Sequence, residues 1–316
     1  MEVIKIHHPY KKEQIPNEEV VLALGFFDGV HLGHQEVIAM AREEANRKNK
    51  KLAVMTFNHH PAVVFKKIDH KEMKYITTVE QKTKRMEACH VDILYVVEFT
   101  SAFAGLSPKD FVDQYIVGLH AVTAVAGFDY TYGKAEIASM CHLPDYADGR
   151  FDIIEVPKQT QGVDKISSTN IRKMMAEGNM EGANAFLGYV YELSGMVVHG
   201  DKRGRTLGFP TANIKVPNQS LLPVVGVYAV KIKVANTWHN GMAQIGYNIT
   251  FEKDRPMTIE VNILDFADDI YGEQVSVQWC HFLRKEMKFD GMEGLVQQLK
   301  QDEADTRAYF AKEESI

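Results

Sequence analysis

The sequence has 316 residues, of which 45% are apolar and 25% are charged, and its formal net charge is −6. This length is too great for one small domain and suits two domains of ordinary size. The acidic balance argues weakly against a general nucleic-acid-binding protein, which usually carries an excess of basic residues. No run of about 18 apolar residues occurs, and the first residues lack the apolar core of a signal peptide. The sequence therefore predicts a cytoplasmic protein with no membrane partner.

The cysteines and the paired histidines give no indication of a disulfide or a zinc site. Cys89, Cys141 and Cys280 are far apart and form no Cys-x-x-Cys pair, so we expect free thiols in a reducing cytoplasm. His59 and His60 are adjacent, but neighbours in an extended segment point in opposite directions. Since no cysteine or carboxylate cluster accompanies them, zinc binding is not expected.

Short apolar runs alternate with helical patterns from Val20 to about Gly178. Thr77-Thr-Val-Glu80 predicts a capping box, and Ser107-Pro108 places a cap before a proline at the first helical position. Apolar strands separated by helices are typical of a parallel sheet covered on both faces. Ligands of such sheets bind at the carboxyl ends of the strands. The predicted strands are residues 20–26, 52–57, 93–97, 122–128 and 151–156.

The segment GFFDGVHLGH, residues 25–34, follows the first of these strands and precedes a helical pattern over residues 35–48. Its glycines fit neither GxGxxG nor GxxxxGK[ST], so a dinucleotide fingerprint and a P-loop are both poor fits. What remains is a strand, a tight loop and a helix N-terminus, whose free N–H groups favour phosphate. His31 and His34 lie on one face of the first turn, where they could donate to the oxygens of a transferring phosphate. The alternative, a turn with packed histidines, suits one histidine better than the whole string.

The segment KISSTNIRK, residues 165–173, is a second candidate for binding phosphate. Its hydroxyl side chains could simply cap a helix that ends near Gly178. Cations in the first turn, with no acidic residue beside them, oppose the helix dipole. An external anion such as a nucleotide phosphate would resolve that conflict. The hydroxyl residues are Ser167, Ser168 and Thr169, and the cations are Arg172 and Lys173.

Two further segments follow predicted strands and are less specific. Gly127-Phe-Asp-Tyr-Thr-Tyr-Gly133 would place Asp129 at the same sheet edge as His31. Thr56-Phe-Asn-His-His-Pro61 likewise begins at a strand end.

The pattern changes to period-two alternation after about Leu187, over residues 228–234, 258–263 and 275–279. Such alternation is typical of half-buried antiparallel strands in a barrel or a sandwich. Residues 292–310 return to a charged amphipathic helix. The sequence therefore predicts an α/β domain followed by a small β domain with a terminal helix, with the boundary between Gly178 and Tyr191.

Residues 197–213, VVHGDKRGRTLGFPTAN, form a glycine-rich basic segment. Its glycines would let the backbone approach a ligand closely, although a solvated basic loop is the usual explanation of such a run. Thr211 and Asn213 lie outside the charged run and offer neutral oxygens, which Mg²⁺ accepts together with waters and substrate phosphates. The glycines are Gly200, Gly204 and Gly208, and the cations are Lys202, Arg203 and Arg205.

Glu260 is the candidate general base of the second half. Alternation places Ile259, Val261 and Ile263 on one strand face, so Glu260 and its neighbours two residues away share the other. Phosphoryl transfer to a hydroxyl needs a group that orients or deprotonates the acceptor. If the polar face lines a pocket, Glu260 is that group. If the face meets solvent, Glu260 has no special role.

These motifs together resemble the bifunctional prokaryotic riboflavin kinase/FAD synthetase family over nearly the whole chain. The first half is similar to its FMN adenylyltransferase module through GFFDGVHLGH, GFDYTYG and ISSTNIR. The second half is similar to its riboflavin kinase module through GDKRGRTLGFPTAN, Thr258-Ile-Glu260, Asp265-Phe266 with Tyr271-Gly272, and LRKEMKF at 283–289. The long kinase string is highly specific, whereas His-x-Gly-His alone indicates only the wider nucleotidylyltransferase superfamily.

The resemblance implies a Rossmann-like adenylyltransferase domain over residues 1–185 and a six-stranded antiparallel kinase barrel with a C-terminal helix over residues 186–316. It implies two sequential reactions. Riboflavin takes the γ-phosphate of ATP to give FMN, and FMN then attacks the α-phosphorus of a second ATP to give FAD and pyrophosphate. ATP is the co-substrate of both steps, and Mg²⁺ is the implied cofactor. The implied partners are riboflavin, FMN and ATP, and no nucleic acid is expected.

The same resemblance assigns residues to both sites. The implied catalytic groups are His31, His34 and Arg172 for adenylylation and Glu260 for phosphorylation. In the adenylyltransferase, the implied ATP-binding residues are Gly25, Phe26, Asp28, Gly29, Gly33, Ser167, Ser168 and Thr169, and the flavin-binding residues are His60 and Asp129. In the kinase, the implied ATP-binding residues are Gly200, Lys202, Arg205, Gly208 and Pro210, the flavin-binding residues are Arg284 and Glu286, and the Mg²⁺ ligands are Thr211 and Asn213.

Five positions depart from the family pattern: His59, Ala138, Gln244, Ile249 and Asn262. None of them removes a phosphate-contacting group named above, but His59 and Ala138 lie near the expected flavin side of the first module. Alternatives therefore stay open: a protein with only one working half, a different nucleotidylyltransferase, or a flavin or nucleotide sensor without turnover. The simultaneous presence of Thr211, Asn213 and Glu260 argues against a sensor, which has no need of a base.

Overall fold

The computed structural model describes residues 1–66, 72–161, 164–200, 203–247, 257–289 and 291–313. The chain divides into two compact units, Met1–Ser168 and Thr169–Ile316, which we call the first and second units. Lys202 and Ile249, both singled out by the sequence, lie outside the described residues.

The first unit is an α/β domain built on a parallel sheet. Its strands are β1 Glu2–Ile6, β2 Val20–Leu24, β3 Lys51–Phe57, β4 Ile93–Val97, β5 Ala121–Gly127 and β6 Asp152–Val156, followed by a two-stranded ribbon of β7 Thr160–Gln161 and β8 Asp164–Lys165. Its helices are α1 Leu32–Lys48, α2 Ala62–Phe65, α3 Val79–Ala88, α4 Ser101–Ala104, α5 Pro108–Phe111 and α6 Leu143–Ala147. The six main strands lie in the order β1-β4-β3-β2-β5-β6, and each neighbouring pair is parallel. The predicted Rossmann-like sheet is confirmed, and β1 is an edge strand that the sequence analysis did not predict.

The structure explains why the sequence of β2 is an unbroken run of apolar residues. Leu22 and Leu24 pack into the core on one face of the sheet, while Val21 and Ala23 pack into the core on the other. A strand buried on both faces has no polar side to alternate with. From β2 the chain continues to β3 on one side, whereas β5 lies on the other side of β2. The end of β2 is therefore a topological switch point, where sheets of this kind bind ligands.

Local sequence signals fix the helix starts in the first unit. Ser107 caps α5 with Pro108 in its first turn, as predicted. The predicted capping box at Thr77 and Glu80 is wrong by one residue, because Thr78 caps α3 and pairs with Gln81. Thr77 is instead used by the loop after β2. Helix α1 begins at Leu32, three residues before the predicted pattern, because His31 supplies its cap.

The second unit is an antiparallel barrel with helices before and after it. Its helices are α7 Ser168–Glu177, which begins on the last residue of the first unit, α8 Met180–Leu187, α9 Arg203–Thr206 and α10 Met292–Glu313. Its strands are β9 Glu192–Val198, β10 Ala212–Lys215, β11 Gly226–Val234, β12 Thr237–Tyr247, β13 Met257–Ile263 and β14 Gln274–Arg284. The barrel is closed in the order β10-β13-β12-β11-β14-β9, and β9 pairs with β10. The sequence left a barrel and a sandwich open, and the structure confirms the six-stranded barrel.

Alternation along β13 follows the predicted faces. Ile259, Val261 and Ile263 are buried, whereas Glu260 is half-buried. The amphipathic helix α10 packs against the barrel, with Phe310 in a cluster with Ala229 and Cys280. Among the helices in the described ranges, none combines the length and apolarity that crossing a membrane requires.

Candidate active sites

The first candidate site is the loop between β2 and α1, residues 25–31. Phe27 and Val30 adopt positive φ angles of 54° and 39°, and Gly29 lies between them at 85°. Positive φ is unfavourable for a β-branched residue such as Val30, and backbone strain of this kind is concentrated at functional sites. Both strained side chains are buried, at 2% and 1% exposure, so packing holds the loop in its tight path.

The two histidines of the motif meet at the N-terminus of α1. His31 is the cap, and its Nδ1 accepts the backbone N–H of His34 at 3.3 Å. The two rings stack with their centroids 3.6 Å apart and their planes at 15°. In the described part of the chain, the buried Nδ1 of His34 has no hydrogen-bond partner. Unmet hydrogen-bonding capacity beside a helix N-terminus is what a phosphate site requires.

Both imidazoles are neutral at pH 7. Burial lowers the pKa of His31 to about 4. Burial also lowers the pKa of His34 well below its usual value, with smaller contributions from His31 and Lys82. Each ring therefore has one N–H donor and one acceptor nitrogen. Two stacked cations would repel each other, so the close stacking is consistent with uncharged rings.

Asp28 and Gly29 are fixed by Thr77, a residue that the sequence analysis had placed in a capping box. Asp28 Oδ1 accepts the Thr77 N–H at 3.1 Å, and Thr77 Oγ1 accepts the Gly29 N–H at 2.9 Å. Ser168 Oγ donates to the Asp28 carbonyl at 2.8 Å. Asp28 is only 4% exposed, so it acts in this structure as an anchor of the loop. No spacing signal in the sequence links residue 28 to residue 77.

The backbone of Phe26 is fixed by Lys82, a residue that the sequence analysis did not single out. Lys82 Nζ donates to the Phe26 carbonyl at 2.6 Å and to Thr56 Oγ1 at 3.0 Å. Thr56 Oγ1 itself donates to the same carbonyl at 2.8 Å. Gly25 and Gly33 flank this arrangement at the end of β2 and in the first turn of α1. Four predicted ATP-binding positions, 25, 26, 28 and 29, thus belong to one fixed loop, and the fifth, Gly33, lies in the first turn of the helix that follows it.

The two positions expected to bind flavin in the first unit lie beyond strand ends. His60 packs edge-on against Phe26 with centroids 5.1 Å apart, and its backbone N–H donates to Tyr75 Oη at 3.1 Å. Asp129 follows β5 and forms an ion pair with Lys165 at 2.6 Å. The carboxylate is also near enough to raise the pKa of His31, against the larger effect of burial.

The remaining predicted residues of the first site belong to the start of α7. Ser167 precedes the helix and Ser168 is its first residue. Thr169 and Arg172 are in the first turns of the same helix but belong to the second unit. Arg172 is half-buried. The helix ends at Glu177 and is followed by Gly178 at φ 82°, close to the predicted end.

The second candidate site begins with the glycine-rich segment between β9 and β10. A Cβ added at Gly200 would overlap the Asn213 side chain, which explains the glycine there. Gly208 adopts φ 84° and precedes the buried Phe209. Arg205 and Pro210 are exposed.

The three polar residues of the second candidate site lie close together. Asn213 is on β10, Glu260 is on β13, and Thr211 directly precedes β10. Asn213 pairs with Glu260 in the strand register, and Thr211 Oγ1 donates to Glu260 Oε2 at 3.2 Å. All three are half-buried. The polar face of β13 thus lines a cavity rather than open solvent.

Two cavities meet at Thr211. One, of about 360 Å³, is lined by Arg205, Pro210 and Thr211 on one side and by Asp268, Asp269 and Tyr271 on the other. The second, of about 300 Å³, is lined by Thr211, Glu260, Arg284 and Glu286 together with apolar groups that include Phe209, Met287 and Phe289. Arg205 of the basic segment lines the first cavity. The wall of the second cavity contains more apolar side chains. The junction of the two cavities coincides with the Thr211–Glu260 contact.

Arg284 is fixed by a buried partner that the sequence analysis did not single out. Its guanidinium donates to Asp302 from two nitrogens, at 2.7 and 2.6 Å, which is the paired geometry that arginine and carboxylate favour. Asp302 is 1% exposed and also accepts Gln298 Nε2 at 2.9 Å. Glu286, the other expected flavin contact, accepts Gln244 Nε2 at 3.2 Å.

The departures from the family pattern have local partners. Asn262 Nδ2 donates to the Pro210 carbonyl at 2.7 Å and so ties the glycine-rich segment to β13. Gln244 bonds Glu286, as above, at the wall of the second cavity. Ala138 is fully buried and its carbonyl accepts the Tyr132 N–H at 2.9 Å. Gln244 and Asn262 therefore lie at the wall of the second cavity, whereas Ala138 is packed in the interior.

The oxygen donors in the second unit fit a magnesium ion. A threonine hydroxyl, an asparagine amide and a carboxylate are hard ligands, and Mg²⁺ commonly uses one or two protein groups with substrate phosphates and waters. Across the described residues, no group of three or more His, Cys, Asp and Glu side chains is placed to hold a metal. A metal here would therefore rely on Thr211 and Asn213 together with its substrate.

Both halves of the chain match known protein families. A family model described as FAD synthetase matches residues 13–170, and one described as riboflavin kinase matches residues 187–310. A Listeria monocytogenes protein described as a bifunctional riboflavin kinase/FMN adenylyltransferase is 54% identical over 312 residues and covers 99% of both chains. A Bacillus subtilis protein with the same description is 45% identical and covers 98% of this chain and 99% of its own.

A solved structure is similar to the whole chain. It is described as a macrolide-efflux protein from Streptococcus pneumoniae and is 37% identical, with a TM-score of 0.88. The match covers 96% of this chain and 99% of that one. The shared architecture therefore includes the parallel sheet, the barrel and the terminal helix.

Proposed function

The chain belongs to the bifunctional riboflavin kinase/FMN adenylyltransferase family, and from that premise we propose which residues carry out each of its two reactions. The reactions are the ATP-dependent phosphorylation of riboflavin to FMN and the adenylylation of FMN to FAD with release of pyrophosphate. We assign the kinase reaction to the barrel of the second unit and the adenylyl transfer to the loop after β2 in the first unit.

In the kinase, riboflavin occupies the cavity of about 300 Å³ and ATP the cavity of about 360 Å³. The single observation that carries this proposal is that Thr211 lines both cavities and lies 3.2 Å from Glu260. Glu260 accepts the proton of the riboflavin hydroxyl as its oxygen attacks the γ-phosphorus. The bond from that phosphorus to the oxygen of ADP breaks at the same time.

Apolar walls and one fixed cation favour a flavin in the second cavity. Phe209, Met287 and Phe289 offer flat or flexible apolar surface, and Arg284 is held rigidly by Asp302. Glu286 and Gln244 provide polar contacts to the ring edge. When bound through Thr211 and Asn213, Mg²⁺ supplies positive charge to the phosphates of ATP. The path of those phosphates is bordered by Gly200, Arg205, Gly208 and Pro210; the predicted contact of Lys202 lies outside the described residues.

Adenylyl transfer needs no general base, because the phosphate of FMN is already an anion near neutral pH. An oxygen of that phosphate attacks the α-phosphorus of ATP, and the bond to the pyrophosphate oxygen breaks. The N-terminus of α1 and the N–H groups of His31 and His34 stabilise the charge on the transferring phosphorus group. ATP is received by the loop after β2 and the first turn of α1, with Gly25, Phe26, Asp28, Gly29 and Gly33, and by Ser167 and Ser168 at the end of the first unit. His60 and Asp129 border the flavin.

A chromatographic time course tests both assignments. Supplied with riboflavin, ATP and Mg²⁺, the protein is expected to form FMN first and FAD afterwards. Supplied with FMN in place of riboflavin, it is expected to form FAD and pyrophosphate directly. Formation of FMN without FAD would mean that only the kinase works. Tight flavin binding without release of ADP or pyrophosphate would identify a sensor.

A further inference from the structure

Lys82 is a buried cation that the two reactions as described leave without a role. It lies on α3 with 2% exposure, in contact with the loop that follows β2. Its ammonium group lies 4.3 Å from the centre of the Phe26 ring and donates to the Phe26 carbonyl and to Thr56 Oγ1, at 2.6 and 3.0 Å. Lysine is seldom buried to this extent without a paired carboxylate.

No carboxylate pairs with this ammonium among the residues that the structure describes. Asp28 is near enough to raise the pKa of Lys82, but its Oδ1 accepts the Thr77 N–H and the two side chains form no ion pair. Burying an unpaired charge destabilises a folded protein, whereas a polyanion bound nearby would offset that penalty. The free protein therefore carries a buried positive charge that Asp28 offsets only in part.

The ammonium is not required to satisfy the backbone. The Phe26 carbonyl also accepts Thr56 Oγ1 at 2.8 Å, so removal of the lysine would leave that carbonyl hydrogen-bonded. Thr56 is fully buried and keeps its own donor role. A neutral side chain of similar length at position 82 would thus fill the space and satisfy the fold. What it would not supply is the charge.

We propose that Lys82 is a positioning residue for adenylyl transfer, whose ammonium donates to the Phe26 carbonyl and places a buried positive charge, without an ion-pair partner, beside the loop after β2. This inference rests on the assignment of adenylyl transfer to the first unit. The charge draws the phosphates of ATP toward the N–H groups of α1 and of the two histidines. Lys82 acts through the loop and does not touch the reacting atoms.

The groups around Lys82 define how pH should act on it. Asp28 faces it from the loop, His34 faces it from α1, and β3 contributes the non-titrating Thr56. Burial lowers the pKa of Lys82 to about 8, and Asp28 opposes that effect. Loss of the proton above this pH removes the charge, so adenylylation should decline there. His34 and His31 are already neutral and do not produce a second change in that range.

The test compares Lys82→Met, Lys82→Arg and the control Lys84→Met in the full chain. Lys84 lies on the same helix, is 65% exposed at its side chain and pairs with Glu80 at 3.2 Å. FMN adenylylation is measured from pH 6.5 to 10, riboflavin phosphorylation is measured as an internal control, and unfolding is followed by far-UV circular dichroism with and without ATP and Mg²⁺.

We expect Lys82→Met to lower kcat/KM for adenylylation by roughly tenfold or more, with kinase activity unchanged. Its melting temperature without ligand should equal or exceed that of the wild type, because an unpaired buried charge has been removed, and the added stabilisation by ATP should shrink. Lys82→Arg should keep activity above pH 9, where the wild type declines, since arginine stays protonated. Lys84→Met should match the wild type throughout.

Two results would overturn the proposal. One is a Lys82→Met protein that melts lower but adenylylates normally, which would show a purely structural lysine. The other is a Lys82→Arg protein whose alkaline decline coincides with that of the wild type, and this result holds even if Lys82→Met does not fold. A wild-type protein that makes FMN but no FAD would instead refute the underlying function, so the two failures are distinguishable.

Discussion

The first unit offers phosphate a helix N-terminus and two stacked, uncharged imidazoles, whereas the second unit offers a hydroxyl, an amide and a carboxylate at the meeting of two cavities. The difference follows the acceptors of the two reactions. An FMN phosphate arrives as an anion and needs only donors that stabilise charge. A riboflavin hydroxyl must lose a proton and needs a base.

The placement of carboxylates in the two units supports this comparison. Asp28 lies in the first site, but its Oδ1 accepts the Thr77 N–H and its side chain is buried, so it anchors the loop. Glu260 in the second site is half-buried and hydrogen-bonds only through the Thr211 hydroxyl among the contacts described. A carboxylate therefore anchors a loop in the first unit, whereas in the second unit we propose that a carboxylate meets the substrate.

The strongest way to break this comparison is to remove the carboxylate of the second site. Glu260→Gln keeps the size of the side chain but cannot take a proton. We expect riboflavin phosphorylation to fall by roughly 10²–10⁴-fold while FMN-fed FAD synthesis stays unchanged. Glu273→Gln, at an exposed position of the same unit, is the control. If both activities fall in a folded Glu260→Gln protein, the two sites are not separate.

The matching change in the first site is His34→Gln. It replaces the N–H of a ring that is stacked on His31 with a flexible amide, so the donor is no longer preorganised, while the His31 side chain still caps α1 through the backbone N–H of residue 34. We expect FMN adenylylation to fall by about 10²–10³-fold, as for the loss of one preorganised donor, and riboflavin phosphorylation to continue. His7→Gln, whose side chain is 63% exposed in the same unit, should have no effect. Normal adenylylation in His34→Gln would remove this histidine from the proposed site.

Sequence periodicity indicated the parallel sheet of the first unit and an antiparallel β domain in the second, but the choice of a six-stranded barrel and of Glu260 as the base also needed the family resemblance. The unbroken apolar run of β2 indicated a sheet buried on both faces, and the alternation of β13 placed Glu260 opposite a buried face. Antiparallel register then brings Glu260 beside Asn213, as the structure shows. Thr77, by contrast, reaches Asp28 and Gly29 across 48 or 49 positions of sequence, and no local pattern encodes such a contact.

Lys82 and Asp302 were missed although a signal was present. Lys82 lies between Val79 and Met86 at helical spacing, and Met86 is fully buried. Asp302 is followed by the buried Thr306 and Phe310 at intervals of four. A charged residue in an apolar stripe is exceptional, and both positions carry the polar contacts that support a site. The helical periodicity of the buried positions, rather than any motif, would have identified Lys82 and Asp302.

Acid should distinguish the two units. His31 has a pKa of about 4 when folded and about 6.5 when unfolded, because burial disfavours its charged form. As pH falls from 6.5 to 4, the unfolded chain takes up a proton that the folded unit excludes, so the free energy of unfolding decreases by about 3 kcal/mol. His34, whose pKa is also lowered, acts in the same direction.

Urea unfolding at several pH values would measure this effect. Both tryptophans, Trp238 and Trp279, lie in the second unit, so their fluorescence reports that unit alone while circular dichroism reports both. The acid loss should appear in the circular dichroism transition and should be smaller in His31→Asn, which retains an N-capping acceptor. An identical pH dependence in the wild type and His31→Asn would contradict the burial argument.

The smallest expected effect concerns the support of the flavin cavity by α10. Asp302→Asn weakens the paired contact to Arg284 and leaves a partly buried cation less well bonded, so we expect a loss of about 1–3 kcal/mol in the stability of the second unit. Because Arg284 is then free to move, the KM for riboflavin should rise more than kcat falls.

The control is Asp305→Asn, which changes an exposed aspartate one turn later on the same helix. Among the contacts described, Asp305 bonds only Gln301, so this variant should leave both the stability and the KM unchanged. Tryptophan fluorescence in urea and riboflavin kinetics measure the two effects. A loss of stability with an unchanged KM would mean that the Arg284–Asp302 pair supports only the barrel and not the flavin cavity. FMN adenylylation, which we assign to the loop after β2 in the first unit, should be normal in both variants.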